Sequence, residues 1–310
     1  MTTTKHSTSP LHIRVIAPSA MIDFALIERS RYALENLGYK VSFSKHLQAT
    51  HRYLAGTIAQ RVQDIVEAYQ DDDVDVIWCG RGGTGAAQLL PLLSQYNLTP
   101  AMQKKPFLGY SDSTTLLNYI TKQNGLAMHA PVFQELANKN IDENQSLSQD
   151  ALQTLALLQQ RLNQPFDLSP ILKTAHPPQG KILGGNLAVL CSLQGTAWQL
   201  HLDQPSILLL EDVGEPYYRL ERLWVQLLQS IDLNHLQAVV LGDFYQCPQK
   251  DVPHSIADIF VEYLKDTHVG LYQTSQFGHG LCNQPFILGQ IAQVKDNQLI
   301  FDHHTISRHA

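Results

Sequence analysis

Acyl transfer to and from a hydroxyl needs a nucleophile, a base and a group to orient the base, and this chain offers one well-placed residue for each. Ser111 follows Gly109-Tyr110, where a short apolar strand ends, and an apolar-periodic helix begins just beyond it. A hydroxyl on such a strand-to-helix turn lies beside the free N–H groups of a helix N-terminus. An oxygen nucleophile needs that exposure, and donors for the oxyanion it creates. The ordinary alternative is that Ser111 or Asp112 caps the helix, and the turn read alone favours the cap. Glu211 ends the apolar run Leu208-Leu-Leu, within Glu211-Asp212-Val-Gly-Glu215-Pro-Tyr-Tyr-Arg219. Capping accounts well for Glu215, just before Pro216 at a helix start, and poorly for Glu211, which is still attached to its strand. His279 stands between Gly278 and Gly280. A single His is usually a hydrogen-bonded structural residue, yet flanking glycines give its ring close access to a substrate.

Gly80-Arg81-Gly82-Gly83-Thr84-Gly85 fits the G-x-G-x-x-G pattern between a strand and a helix. It follows about the third strand, has no acidic residue closing a strand some 20 positions later, and lacks the Gly-Lys-Ser/Thr of a phosphate loop. A turn that gathers backbone N–H donors for an anion or oxyanion suits it better than a nicotinamide site. The remaining histidines are scattered, without HExxH or paired ligand spacing, so no metal site is expected. His303-His304 and His309 read as a polar tail.

The elements that must position these residues alternate. Leu11–Ala17 reads as a strand, residues 22–37 as a helix closed by Gly38, and Lys40–Phe43 as a strand. Residues 56–69 read as a helix, 74–79 as a strand, Ala86–Tyr96 as a helix, and 126–130 as a strand before Pro131. This order predicts an α/β protein whose N-terminal, mostly parallel sheet is flanked by helices in a flavodoxin-like manner. Residues 138–179, polar around Asn140–Gln145, helical over Asp150–Leu162 and then punctuated by prolines, read as a linker. A smaller C-terminal α/β domain rich in β structure follows, with a strand over Ser206–Glu211, a helix over Tyr217–Ser230, a strand over Ala238–Gly242 and alternation from Phe286 to Phe301. The expected division is 1–137, 138–179 and 180–310.

At 310 residues, with 44% hydrophobic and 16% charged content, the chain has the composition of a soluble globular protein with room for two modest domains or one large α/β domain. A net charge of −6 gives no electrostatic footprint for nucleic acid or anionic membrane. Cys79, Cys191, Cys247 and Cys282 are widely spaced and read as reduced thiols. The polar first ten residues have no apolar signal region, and no spanning run appears, so a cytoplasmic protein is expected.

These motifs, with Ile16-Ala-Pro-Ser19, His129-Ala-Pro131, Gly184-Gly-Asn-Leu187 and Gly195-Thr196, resemble in order and spacing the LD-carboxypeptidase family of serine peptidases. That family also includes the self-immunity hydrolases for microcin-type aminoacyl-nucleotide toxins. The resemblance implies Ser111 as nucleophile, His279 as general base and Glu211 as its orienting carboxylate. It also implies an oxyanion hole from the backbone N–H of Asp112 and of the Gly82-Gly83 turn, with Gly83 the expected donor. Arg81, Gly82 and Thr84 would line the substrate site; the family usually has an aromatic residue where Thr84 stands and often Gly where Ala130 stands. The implied activity is release of terminal D-alanine from murein tetrapeptides in cell-wall recycling, by a homodimer without metal or other cofactor, on a small peptide and not on nucleic acid or membrane. Two readings compete: an immunity hydrolase using the same triad, and a nucleotide-binding module built on Gly80–Gly85. The second leaves Ser111, Glu211 and His279 unexplained. The order Ser…Glu…His matches α/β-hydrolases, but Gly109-Tyr-Ser-Asp-Ser113 lacks the second Gly of their elbow, and that fold is rejected.

Overall fold

Two sheets carry the chain, and the residues singled out above are divided between them. The computed structural model describes residues 10–142, 146–159, 163–249 and 252–302. The polar first nine residues and the tail with His303, His304 and His309 lie outside the described residues, as do 143–145 of the polar stretch.

In chain order the strands are β1 (His12–Ile16), β2 (Lys40–Phe43), β3 (Val76–Cys79), β4 (Phe107–Gly109), β5 (Ala127–His129), β6 (Phe166–Asp167) and β7 (Ser169–Leu172). Then come β8 (Gln179–Asn186), β9 (Ser206–Val213), β10 (Leu236–Tyr245), β11 (Gly270–Gly278), β12 (Phe286–Leu288), β13 (Ile291–Lys295) and β14 (Gln298–Phe301). The first sheet has the order β12-β5-β4-β3-β1-β2, parallel throughout except for β12. Each residue of β3 is buried, as a strand covered on both faces must be. The second sheet, β6-β14-β13-β8-β9-β10-β11-β7, has a parallel centre of β8 to β11 with antiparallel strands at both edges. The α/β architecture, with its mostly parallel first sheet and strand-rich second part, is the one expected.

Three details differ from the sequence reading. The helix expected over Ala86–Tyr96 is a 3-10 turn, Ala86–Leu89, followed by one α turn, Leu90–Leu93. Pro91, without an N–H to give, interrupts the ladder there. The stretch read as a linker is itself structured: its helix is Gln149–Leu158, its residues 160–162 lie outside the described residues, and β6 and β7 pair with β14 and β11. Finally, β12 leaves the second part of the chain and completes the first sheet against β5. Its Phe286 stacks on His129 and packs edge-on to Phe277 and Phe166, so one core runs from sheet to sheet.

Candidate active site

Ser111 lies directly after β4 with φ of +60°, in the left-handed region that a residue with a side chain enters only under constraint. Such strain costs on the order of 1–3 kcal/mol and must be held by neighbours. Gly82 leaves room for the turn, since a Cβ there would lie 3.0 Å from Ser111 Cβ and 3.1 Å from its Oγ. The capping alternative fails: neither the 3-10 turn Ser111–Ser113 nor the helix Thr114–Lys122 has a side-chain cap. The Asp112 carboxylate turns away and accepts from Ala86 N–H at 2.9 Å, tying the glycine-rich loop to the Ser111 turn. Burial pushes that carboxyl up, while the Ala86 bond and the charge of Arg61 pull it back. Arg61 is 1% exposed and donates to the carbonyls of Pro18 (2.7 Å) and Gly85 (3.0 Å), supporting the loop from beneath. Sequence reasoning missed Arg61, which looks like any polar residue of an amphipathic helix (Ile58–Gln70).

Four buried apolar residues, Ile207 to Leu210, carry β9 into the interior, and the strand brings Glu211 with it at 0% exposure. Glu211 Oε2 accepts from His279 Nδ1 at 2.6 Å. That bond fixes the neutral imidazole with its proton on Nδ1 and leaves Nε2 as an acceptor. Burial disfavours the imidazolium, but the charge and hydrogen bond of Glu211, with the charge of Glu135, outweigh it and hold His279 above the ordinary histidine value. Asp212, next along the strand, is pushed up to about 6 by burial and by Glu211, against hydrogen bonds from Val213, Ala188 and Asn186.

The glycines beside His279 have a use the sequence did not show. A Cβ on Gly278 would meet the Asp243 backbone at 2.9 Å, and one on Gly280 would lie 1.6 Å from Asp243 Oδ2. They make room for Asp243 of β10. Tyr110, the residue before Ser111, packs its ring on His279 with centroids 4.7 Å apart. Glu211 and His279 are joined by a hydrogen bond, and the residue next to Ser111 packs on that imidazole. His129 lies on the other side of Tyr110, wholly buried, bonded through Nε2 to Asn283 Oδ1 at 2.8 Å and pushed down to about 4 by burial. It is neutral and structural.

The remaining expected residues are placed as follows. Gly83, with φ of +106°, packs so closely that a Cβ would be 2.6 Å from Ala20 Cβ. Arg81 is exposed and donates to the Met21 carbonyl at 2.8 Å; Thr84 is exposed. Arg219 is paired with Glu215 at 2.9 Å, and Arg222 lies over the Tyr218 ring. Among the described residues no group of three or more His, Cys, Asp or Glu is arranged to hold a metal ion, and no helix is long and apolar enough to cross a membrane.

Two family models match the chain: the LD-carboxypeptidase N-terminal domain over residues 13–130 and the LD-carboxypeptidase C-terminal domain over residues 179–294. The chain belongs to the LD-carboxypeptidase family. The murein tetrapeptide carboxypeptidase of Pseudomonas aeruginosa is 38% identical over 290 residues, covering 93% of this chain and 94% of that protein. The crystal structure of a muramoyltetrapeptide carboxypeptidase from Oxalobacter formigenes superposes with a TM-score of 0.77 at 24% identity, over 94% of this chain and 97% of that one. The microcin C7 self immunity protein MccF gives 0.79 at 19% identity, over 96% and 99%. At those identities the two structures bear on the fold alone.

Proposed function

We propose that this LD-carboxypeptidase family member removes the terminal D-alanine from murein tetrapeptides, with Ser111, His279 and Glu211 as its triad. The observation that carries the triad is the buried 2.6 Å bond from His279 Nδ1 to Glu211, with Ser111 on a left-handed turn one residue from a ring packed against that imidazole. His279 Nε2 takes the Ser111 proton as Oγ attacks the L-to-D amide carbonyl. The oxyanion is met by the N–H of Asp112 and by that of Gly83, on a loop that Asp112 and Arg61 hold against the turn. The imidazolium then gives its proton to the leaving amine of D-alanine. Water, deprotonated by the same nitrogen, cleaves the acyl-enzyme and restores Ser111.

Arg81, Gly82 and Thr84 flank the loop as substrate contacts. The murein peptide is preferred over an aminoacyl-nucleotide conjugate because the relative at 38% identity is a murein tetrapeptide carboxypeptidase, whereas the microcin immunity protein shares the fold only. A homodimer in the cytoplasm completes the proposal and rests on the family resemblance, as does the division into two domains on either side of residues 138–179.

The experiment is direct. Protein incubated with murein tetrapeptide should yield tripeptide and free D-alanine in equal amounts, and Ser111→Ala should yield neither; full activity in that variant would end the assignment.

A further inference from the structure

Glu135 stands at the centre of a set of contacts that the triad leaves unused. It closes the short helix Phe133–Glu135, and the π-helical turn Leu136–Asn140 carries Lys139 back to the same side. Tyr110 Oη donates to Glu135 Oε1 at 2.6 Å, and Lys139 Nζ bonds the same oxygen at 2.9 Å. The Lys139 ammonium also donates to the backbone carbonyl of His279 at 3.4 Å, while the Tyr110 ring packs on the imidazole. His279 is therefore gripped twice, at its ring and at its backbone, and Glu135 joins the two grips. Tyr110, Glu135 and Lys139 follow strands of the first sheet, whereas His279 follows β11 of the second. Tyr110 also precedes the nucleophile itself.

We propose that Glu135 is a positioning residue which, through Tyr110 and Lys139, braces the His279 loop against the Ser111 turn and keeps base and nucleophile in register across the two sheets. This inference rests on the triad reading above. Its physical reason is that a misplacement of about 1 Å between reacting groups costs about 10²-fold in rate. Charge-assisted bonds on a mostly buried carboxylate are shorter and stronger than neutral ones, so they suit such a brace. Burial and the neighbouring Glu135 push the Tyr110 phenol well up, which keeps its hydroxyl protonated as the donor. The groups facing His279 are Glu211 from β9, Asp243 from β10, His129 from β5, and Glu135 and Lys139 from the helical turn. Of these, Glu211 and Glu135 favour the imidazolium and Lys139 opposes it.

The test is a cycle of full-length variants assayed on murein tetrapeptide, with kcat and KM measured separately and thermal midpoints as the folding control. Glu135→Ala should lower kcat by about 10–100-fold with little change in KM. Tyr110→Phe and Lys139→Met should each lower kcat several-fold alone and have little further effect in the Glu135→Ala background. Glu135→Gln keeps an acceptor for both donors, so it should recover most of kcat while the acidic limb of kcat/KM moves to lower pH. Additive effects of the three truncations, or a loss in Glu135→Ala carried by KM alone, would overturn the brace. Ser111→Ala separates the two readings. If it is inactive while Glu135→Ala is normal, the brace is wrong and the triad stands; if it is active, the triad is wrong.

Discussion

Glu211→Gln is the sharpest perturbation the site allows, because it keeps shape and removes charge. In the proposed mechanism His279 becomes an imidazolium in the transition state, with its Nδ1 bonded to Glu211 at 2.6 Å and no solvent on the carboxylate. Two unit charges about 4 Å apart at an effective dielectric of about 20 interact by about 4 kcal/mol. That alone is about a thousandfold in rate. A glutamine amide can also donate to Nδ1, which moves the neutral imidazole's proton onto Nε2, the nitrogen that must accept from Ser111. The two effects together give an expected fall in kcat of about 10³–10⁴-fold. The pH profile should change as well. In the native protein Glu211 holds His279 above the ordinary value near 6.5 despite burial, so kcat/KM rises with pH through a limb above that value. With a neutral partner burial dominates and the limb moves to more acidic pH. Stability follows the same linkage: a histidine raised in the folded state contributes stability that is complete below about 6.5 and lost as pH rises through the raised value. In Glu211→Gln, where burial dominates, the slope should reverse, with stability lost as pH falls below the ordinary histidine value. D-alanine release across pH and urea unfolding at matched pH measure both. Activity within tenfold of native, or an unmoved limb, would refute the reasoning.

Asp212→Asn should cost about 1–3 kcal/mol in urea unfolding, because the carboxylate accepts from Asn186 Nδ2, Ala188 N–H and Val213 N–H, and an amide must turn a donor against one of them. Since its folded pKa is raised to about 6, native stability should decline as pH rises through the window between the carboxylate value of 3.8 and that value, and the variant should lack the decline. Gly278→Ala should destabilise far more than Gly280→Ala: the first forces a Cβ onto Asp243 backbone at φ of +129°, the second onto a carboxylate that can swing aside. The reverse order of thermal midpoints would contradict that account.

The parts legible in the sequence are those whose signal is local. Gly109-Tyr110-Ser111 announces a strand-to-turn-to-helix, and Leu208–Leu210 announces a buried strand ending in Glu211. What was not legible depends on contacts between distant residues. Lys139 and the His279 carbonyl are 140 positions apart, and nothing in the polar run near Asn138 shows that a π-helical turn aims an ammonium at the second sheet. Arg61 is hidden in the same way, by an amphipathic pattern that gives no sign of the loop it supports. The edge strands β6 and β7 were obscured by Pro165 and Pro170, which edge strands tolerate and which read as linker punctuation.

One rule of parallel sheets explains how two separate sheets could share the proposed site. Ligand-facing residues in open α/β sheets gather at the carboxyl ends of strands. Here β3 delivers the Gly80–Gly85 loop, β4 delivers Ser111, β9 delivers Glu211, β10 delivers Asp243 and β11 delivers His279, each at or just beyond the C-terminal end of a strand in a parallel array. Nothing in that rule aligns one sheet with the other. The alignment comes from β12, which belongs to the later part of the chain yet pairs with β5, and whose Phe286 packs on His129 and Phe277. Phe277 is two residues from His279, and His129 is stacked between Phe286 and the Tyr110 side of the nucleophile turn. Loss of that packing should therefore be felt at the site as well as in the core. Phe286→Ala should cost about 3–5 kcal/mol in urea unfolding, and at temperatures where it remains folded its kcat should fall while Ser111, Glu211 and His279 are all intact. A variant that loses stability but turns over at the native rate would show that the sheets are aligned by something other than β12.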